Sequence, residues 1–102
     1  MAFEPAAKVD DVAAGTVKVV EVGGRSIALC NLEGRFYAVD DLCTHDNGPL
    51  GEGSLFNGTI ECPRHGARFD VQTGAVKALP AVRAVRTYPV QVDGDEVSVD
   101  VG

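Results

Sequence analysis

Both histidines of this chain and two of its three cysteines lie in one stretch, "CTHDNGPLGEGSLFNGTIECPRH" (43–65). They form two close pairs, Cys43-x-His45 and Cys62-x-x-His65, which are separated by sixteen residues. Thiolate and imidazole groups are preferred ligands of zinc and of iron–sulfur centres. Because glycine and proline are frequent here, each pair is predicted to lie on a tight loop. Two such loops that face each other would place two sulfurs and two nitrogens around one metal centre.

The same residue types also occur in ordinary structural roles and in zinc sites. A lone histidine is usually a hydrogen-bonded polar residue, and a lone buried cysteine is usually a small core residue. Both histidines, however, stand at a short offset from a cysteine, which favours a shared ligand role. A mononuclear Cys2His2 zinc site normally pairs cysteine with cysteine and histidine with histidine. Each loop here mixes the two, so a zinc-stabilised interaction module is the weaker alternative.

Short segments rich in β-branched residues and bounded by turns occupy both ends of the chain. Five of them are predicted to be strands: 16–22, 25–31, 35–39, 85–93 and 96–102. The glycines between them, Gly24, Gly34 and Gly94, favour tight hairpin turns. Between 41 and 81 the alternation of apolar and polar residues weakens, which predicts a loop-rich region.

One domain is expected for the whole chain, 1–102, because about 100 residues build one hydrophobic core. Its predicted fold class is all-β, an antiparallel β sandwich or barrel. Residues at about 1–40 and 82–102 are predicted to form this β base. The loop-rich subdomain at about 41–81, which carries the ligand pairs, is inserted between them.

Composition narrows the possible partners and compartments. Fifteen acidic and nine basic side chains give a net charge of −6, which disfavours nucleic acid and anionic membranes as partners. The amino terminus lacks the basic start and apolar run of an export signal, and no apolar stretch is long enough to span a membrane. We therefore expect a cytoplasmic protein without a disulfide framework, and we expect a monomer. Cys30, inside a predicted strand, is interpreted as a small core residue.

Side chains suited to bond-making catalysis are not apparent in the sequence. Both histidines are predicted to be ligands, which would leave no imidazole to act as the base for a hydroxyl nucleophile. No G-x-G-x-x-G loop is present to bind a nucleotide. The chain is therefore not expected to be an enzyme in its own right.

The pattern Cys-x-His…Cys-x-x-His resembles the Rieske [2Fe–2S] motif. Residues beyond the ligands also match it, in "GPLGEG" (48–53), "CPRHGARFD" (62–70), "TG" (73–74) and "LPA" (79–81). In its length the chain most resembles the Rieske ferredoxins of bacterial aromatic-ring-hydroxylating dioxygenases, which serve aromatic hydrocarbon catabolism.

The resemblance implies a Rieske-like β fold that binds one [2Fe–2S] cluster in the loop-rich subdomain. Cys43 and Cys62 would hold the inner iron, and His45 and His65 would hold the outer iron. A protein of this kind carries single electrons from an NADH-dependent, flavin-containing ferredoxin reductase to a terminal oxygenase that has its own Rieske centre. The small Rieske-like subunit of assimilatory nitrite reductases shares this size and fold and is an alternative.

Several positions differ from the respiratory members of the family, whose clusters have high reduction potentials. Gly48 and Arg64 stand where those members have an additional pair of cysteines that form a disulfide. Ala67 and Phe69 stand where they have a serine and a tyrosine, whose hydroxyls donate hydrogen bonds to sulfur atoms at the cluster. Pro80 resembles the proline of a loop that covers the cluster in the family.

The missing hydroxyls predict a low reduction potential. Hydrogen bonds to cluster sulfur stabilise the reduced, more negative state, so their absence at Ala67 and Phe69 lowers the potential. We expect a value of about −150 mV, the lower end of the Rieske range, against about +300 mV at its upper end. Voltammetry of the purified protein measures this value, and the double variant Ala67→Ser/Phe69→Tyr should raise it. A positive wild-type potential would contradict the prediction.

Overall fold

Eleven short β-strands form the regular structure of the computed structural model, which describes residues 3–44, 48–63, 66–79 and 83–102. The strands are β1 (Glu4–Lys8), β2 (Val17–Val22), β3 (Arg25–Leu32), β4 (Arg35–Asp40), β5 (Ser54–Phe56), β6 (Thr59–Glu61), β7 (Arg68–Asp70), β8 (Val76–Ala78), β9 (Thr87–Tyr88), β10 (Val90–Asp93) and β11 (Glu96–Val99). A 3-10 turn at Val9–Asp11 follows β1. No α-helix occurs in the described residues, and hence none that is long and apolar enough to cross a membrane.

The strands form three antiparallel sheets. The terminal sheet has the strand order β1-β11-β10, and the central sheet has the order β2-β3-β4-β9. The third sheet, with the order β5-β6-β7-β8, borders both predicted ligand pairs and is called the ligand-loop sheet. The prediction of an all-β, antiparallel fold is confirmed.

The central strand β3 is buried on both of its faces, because a sheet packs against each side. Successive side chains of a strand point to opposite faces. Ile27 and Leu29 belong to an apolar cluster that they share with residues of the terminal sheet. Ala28 and Cys30 belong to a second cluster, shared with residues of the ligand-loop sheet. An uninterrupted apolar run of this kind is typical of a strand that is covered on both faces.

The strands predicted in the first half of the chain are confirmed, and their ends shift by at most one residue. Segments 16–22, 25–31 and 35–39 correspond to β2, β3 and β4. The hairpin predicted around Gly94 is also confirmed. Gly94 has a φ of +62° in the turn that joins β10 to β11, a left-handed conformation that glycine adopts at low cost.

The predicted strand 85–93 is divided in two at Pro89. Its parts are β9 in the central sheet and β10 in the terminal sheet. Proline has no N–H to donate to a strand ladder. The ladder is therefore interrupted at Pro89, where the chain passes from one layer of the base to the other.

Five strands are absent from the sequence-based prediction. β1 has the sequence "EPAAK", whose residues have low strand propensity, and it is held by its pairing with β11. β5, β6, β7 and β8 have three residues each, so they are too short for an alternating pattern to be recognised. These four strands give the region predicted to be loop-rich a sheet of its own, and both ligand loops are attached to that sheet.

Candidate metal centre

The cysteines of the two predicted ligand pairs lie next to the ligand-loop sheet. The segment that leaves the end of β4, 41–51, is called ligand loop 1, and the segment that joins β6 to β7, 62–67, is called ligand loop 2. The structure describes Cys43 and Cys62. The predicted site residues that lie outside its described part are His45, Arg64, His65 and Pro80.

Cys43 and Cys62 are both buried in the apolar cluster between the central sheet and the ligand-loop sheet. Only 0% and 1% of their respective surfaces are exposed. Cys30 reaches the same cluster from β3. None of the three cysteines is in a disulfide. The tertiary structure thus brings the two predicted cysteine ligands into one enclosed region.

Cys30 shows what burial alone does to a thiol in this cluster. Burial raises the pKa of the Cys30 thiol to about 12, because an apolar environment disfavours the charged thiolate. Its thiol makes a weak hydrogen bond to the Ala28 carbonyl at 3.7 Å. Cys30 is therefore a neutral core residue, as its place in a strand predicted. A cysteine buried in the same way is held as a thiolate when a positive charge such as a metal ion lies beside it.

Each ligand loop is closed at its root by a backbone hydrogen bond from its cysteine. The Cys43 N–H donates to the Gly48 carbonyl at 2.8 Å, and the Cys62 N–H donates to the Ala67 carbonyl at 2.7 Å. In ligand loop 2 the Gly66 N–H also donates to the Cys62 carbonyl at 3.1 Å. Gly66 has a φ of +78°, which favours glycine. Each cysteine thus stands at the root of its loop, and each histidine belongs to the part of the sequence that the closing bond encloses.

Two further described residues, Leu79 and Arg83, lie beside the ligand loops. The Thr44 hydroxyl donates a hydrogen bond to the Arg83 carbonyl at 2.7 Å, which attaches Arg83 to ligand loop 1. Leu79, with 77% of its surface exposed, follows Ala78, and Ala78 pairs with Arg68 directly after ligand loop 2. We call the two ligand loops together with Leu79 and Arg83 the tip of the molecule. The tip carries a large exposed apolar side chain next to the candidate centre.

Ala67 and Phe69, which stand where the respiratory members have hydroxyl side chains, lie in the same enclosed region as the cysteines. Ala67 and Phe69 are fully buried, and both belong to the cluster that contains Cys43 and Cys62. A methyl group and a phenyl ring donate no hydrogen bond to a group held between the loops. The environment of the candidate centre is therefore apolar on this side.

The donors in this region fit a metal centre with sulfur ligands. Two buried cysteines stand at the roots of two loops, and thiolates are ligands that iron–sulfur centres use. Among the described residues, no group of three or more His, Cys, Asp and Glu side chains is arranged to hold a metal ion, and both histidines lie outside that set. The described structure thus contributes two candidate ligands, and a complete ligand set requires others.

Sequence analysis missed one carboxylate at the base of ligand loop 1. Asp41 accepts a hydrogen bond from the Gly51 N–H at 2.6 Å and another from the Ser26 hydroxyl at 3.0 Å. An acidic residue in the two positions after the predicted strand 35–39, at the start of a turn-rich stretch, is the available signal, and it applies equally to Asp40. This signal does not identify the hydrogen-bond partners of Asp41, since Ser26 and Gly51 are distant from it in sequence.

Comparison with known proteins identifies relatives of this chain. The family model of the Rieske [2Fe-2S] domain matches residues 2–89. The ferredoxin component of the naphthalene 1,2-dioxygenase/salicylate 5-hydroxylase systems of Ralstonia sp is 44% identical over 92 residues, which cover 90% of this chain and 88% of that protein.

Solved structures show the same similarity. The ferredoxin of carbazole 1,9a-dioxygenase from Nocardioides aromaticivorans IC177 aligns with a TM-score of 0.92 and 37% identity, over 97% of each chain. A chain of the complex of reduced oxygenase and oxidized ferredoxin in carbazole 1,9a-dioxygenase aligns with a TM-score of 0.88 and 35% identity, over 95% of this chain and 91% of that chain.

The three buried cysteines allow a matched prediction about the metal centre. Cys43→Ala or Cys62→Ala should leave little or no bound iron and sulfide, because each removes a thiolate ligand. Cys30→Ala is the control, since it deletes the same group from the same apolar cluster and should keep the full iron and sulfide content. Chemical analysis of iron and sulfide per chain measures the difference. Equal contents in the three variants would contradict the assignment.

Proposed function

Because the chain belongs to the Rieske [2Fe-2S] domain family, we propose that it is the one-electron carrier of a ring-hydroxylating dioxygenase system. It holds one Rieske-type [2Fe–2S] cluster and is not itself the enzyme that oxidises the substrate. It takes electrons from an NADH-dependent, flavin-containing ferredoxin reductase and passes them to a terminal oxygenase that has its own Rieske centre. The observation that carries this proposal is the burial of Cys43 and Cys62 in one apolar cluster, each at the root of a closed loop.

Cys43, His45, Cys62 and His65 are proposed as the four ligands. When bound, the cluster supplies a centre that accepts and releases one electron. The two cysteines hold it from the enclosed side of the site. The two histidines replace thiolates with neutral imidazoles, which leaves the centre less negative and favours uptake of an electron compared with an all-cysteine site.

The protein's own contribution is to enclose the two cysteine ligands and to hold the two ligand loops in place relative to each other. We propose a single domain, 1–102, in which the ligand-loop sheet and both ligand loops form the cluster-binding subdomain at about 41–81. The segments at about 1–40 and 82–102 form the base. Apolar packing around Cys43 and Cys62 excludes water from their sulfur atoms, which influences the reduction potential.

The proposed partners and compartment are inferred by analogy with related systems and from the cysteines of this chain. One solved complex joins an oxygenase with an oxidized ferredoxin in carbazole 1,9a-dioxygenase, which supports a terminal oxygenase as the electron acceptor of this chain. The reductase as electron donor is proposed from the same kind of multicomponent system. Three cysteines that form no disulfide suit a reducing compartment, which supports a cytoplasmic location. A monomer would present its single tip to each partner in turn.

Two alternatives are disfavoured by particular observations. The 44% identity to a dioxygenase ferredoxin over 90% of the chain favours that role over the small subunit of an assimilatory nitrite reductase. The match to the Rieske domain over residues 2–89 favours an iron–sulfur centre over a zinc-stabilised interaction module. A colourless protein with one zinc ion and no sulfide would restore the zinc alternative.

Spectroscopy of the purified protein and of two histidine variants tests the proposed centre. The wild type should be coloured and, after reduction, should give the EPR spectrum of a Rieske centre. His45→Cys or His65→Cys should lower the reduction potential or lose the cluster, because an added thiolate makes the centre more negative. Either variant with an unchanged spectrum and potential would contradict the ligand set.

Leu79 provides a test of docking at the tip. Its side chain is 77% exposed beside ligand loop 2, where an electron-accepting partner would approach the histidines. Leu79→Ser should raise the apparent KM of the oxygenase for this carrier by about five- to tenfold, the loss expected for an apolar interface anchor. The reduction potential should not change.

Val92 supplies the control for this prediction. It is 48% exposed and lies on β10 of the terminal sheet, away from the ligand loops. Val92→Ser makes a similar apolar-to-polar change and should leave the apparent KM unchanged. A larger effect at Val92 than at Leu79 would place the docking surface on the base instead of the tip.

A further inference from the structure

The two ligand loops are anchored in different ways. Ligand loop 2 closes the hairpin of β6 and β7, and just outside it Glu61 pairs with Arg68 in the strand ladder. The side chains of the same two residues form an ion pair at 3.7 Å. Ligand loop 1 instead leaves β4 in the central sheet and enters β5 in the ligand-loop sheet. Its two ends therefore belong to different layers, and no shared ladder can hold them together.

The Asp41 carboxylate joins the two ends of ligand loop 1. One carboxylate oxygen accepts a hydrogen bond from the Gly51 N–H at 2.6 Å, and the other accepts one from the Ser26 hydroxyl at 3.0 Å. The Asp41 N–H also donates to the Ser26 carbonyl at 3.1 Å. A single side chain thus connects the first residue of the loop, its last residue and the beginning of β3.

Ligand loop 1 ends against β2, and Gly53, two residues after its end, lies against the strand that leads to the second cysteine. A Cβ atom at Gly51 would overlap the Val19 side chain, and a Cβ atom at Gly53 would overlap the Glu61 carbonyl oxygen. Glu61 directly precedes Cys62. The position of residues 51–53 therefore links the place where ligand loop 1 ends to the position of Cys62, where ligand loop 2 begins.

We infer that Asp41 is a positioning residue for the metal centre, which sets the place of Cys43 relative to Cys62 by closing ligand loop 1 at its base. The inference rests on the proposed function, because the group held between the loops is the proposed cluster. Asp41 acts through the backbone of Gly51 and the hydroxyl of Ser26, and its two carboxylate oxygens are both engaged in those hydrogen bonds. It performs for ligand loop 1 the anchoring that the Glu61–Arg68 strand pair performs for ligand loop 2.

Three variants of the cluster-loaded protein test this role. Asp41→Ala removes both hydrogen bonds and should release iron to a chelator about 10- to 100-fold faster than the wild type, the usual effect of losing a group that orients a metal ligand. Its EPR spectrum should be broadened, because the ligand loop would adopt several positions. Asp41→Asn removes the same charge but keeps an acceptor for the Gly51 N–H and a donor for the Ser26 hydroxyl. It should therefore restore the wild-type spectrum and a near-wild-type release rate.

Asp40→Ala is the matched control. Asp40 is the neighbouring carboxylate, and it accepts a hydrogen bond from the Tyr88 hydroxyl at 3.0 Å. Its removal changes the net charge by the same amount as Asp41→Ala and should leave both iron release and the EPR spectrum unchanged. If Asp41→Ala does not accumulate as folded protein, Ser26→Ala removes one of the two bonds and should accelerate iron release by about two- to tenfold, the effect of one hydrogen bond.

The outcomes separate this inference from the proposed function. A wild-type protein without a Rieske EPR spectrum would overturn the proposed function and this inference with it. A wild type with that spectrum, together with an Asp41→Ala variant that matches Asp40→Ala, would overturn the positioning role alone. Equal damage in Asp41→Asn and Asp41→Ala would also overturn it, because the charge of Asp41 and not its loop closure would then be responsible.

Discussion

The packing of one sheet on each face of β3 holds the three layers of the molecule together. Ile27 and Leu29 face the terminal sheet, and Ala28 and Cys30 face the ligand-loop sheet. Burial of one large aliphatic side chain contributes about 1.5–3 kcal/mol, so both faces contribute to stability. The cluster on the second face also contains Cys43 and Cys62. The apolar residues whose packing stabilises the fold therefore also surround the cysteines of the candidate metal centre.

Burial in this cluster has different consequences for its three thiols. In Cys30 it raises the thiol pKa to about 12 and keeps the residue a neutral part of the core. At the roots of the ligand loops, Cys43 and Cys62 are instead the proposed thiolate ligands of the cluster. The fully buried Ala67 and Phe69 contribute no hydroxyl donor. The low reduction potential expected from these two positions stays a prediction.

The construction of the site combines a regular and an irregular loop. Ligand loop 2 continues a β-hairpin, so strand pairing determines where its cysteine lies. Ligand loop 1 connects two layers, and hydrogen bonds of the Asp41 side chain at its base replace the missing ladder. Thr44 in the same loop is hydrogen-bonded to the Arg83 carbonyl. Both cysteines of the candidate centre therefore lie on loops that are anchored close to them.

The sequence by itself determined the chemistry of the site and the strands with a clear alternating pattern. The spacing of Cys43, His45, Cys62 and His65 is a local property of the chain, and so is the periodicity of β2, β3 and β4; both could be read without a structure. The position of both histidines relative to the cysteines stays a prediction, because they lie outside the described residues.

Only the tertiary structure decided that Cys43 and Cys62 enter one cluster with Cys30 and that four three-residue strands form a sheet to which both ligand loops are attached. The same is true of the change of layer at Pro89. The tertiary structure also decided the partners of Asp41. These features join residues that are distant in sequence or strands too short to show a period. Their pairing is selected by packing and by the need of buried polar groups for partners, neither of which leaves a pattern along the chain.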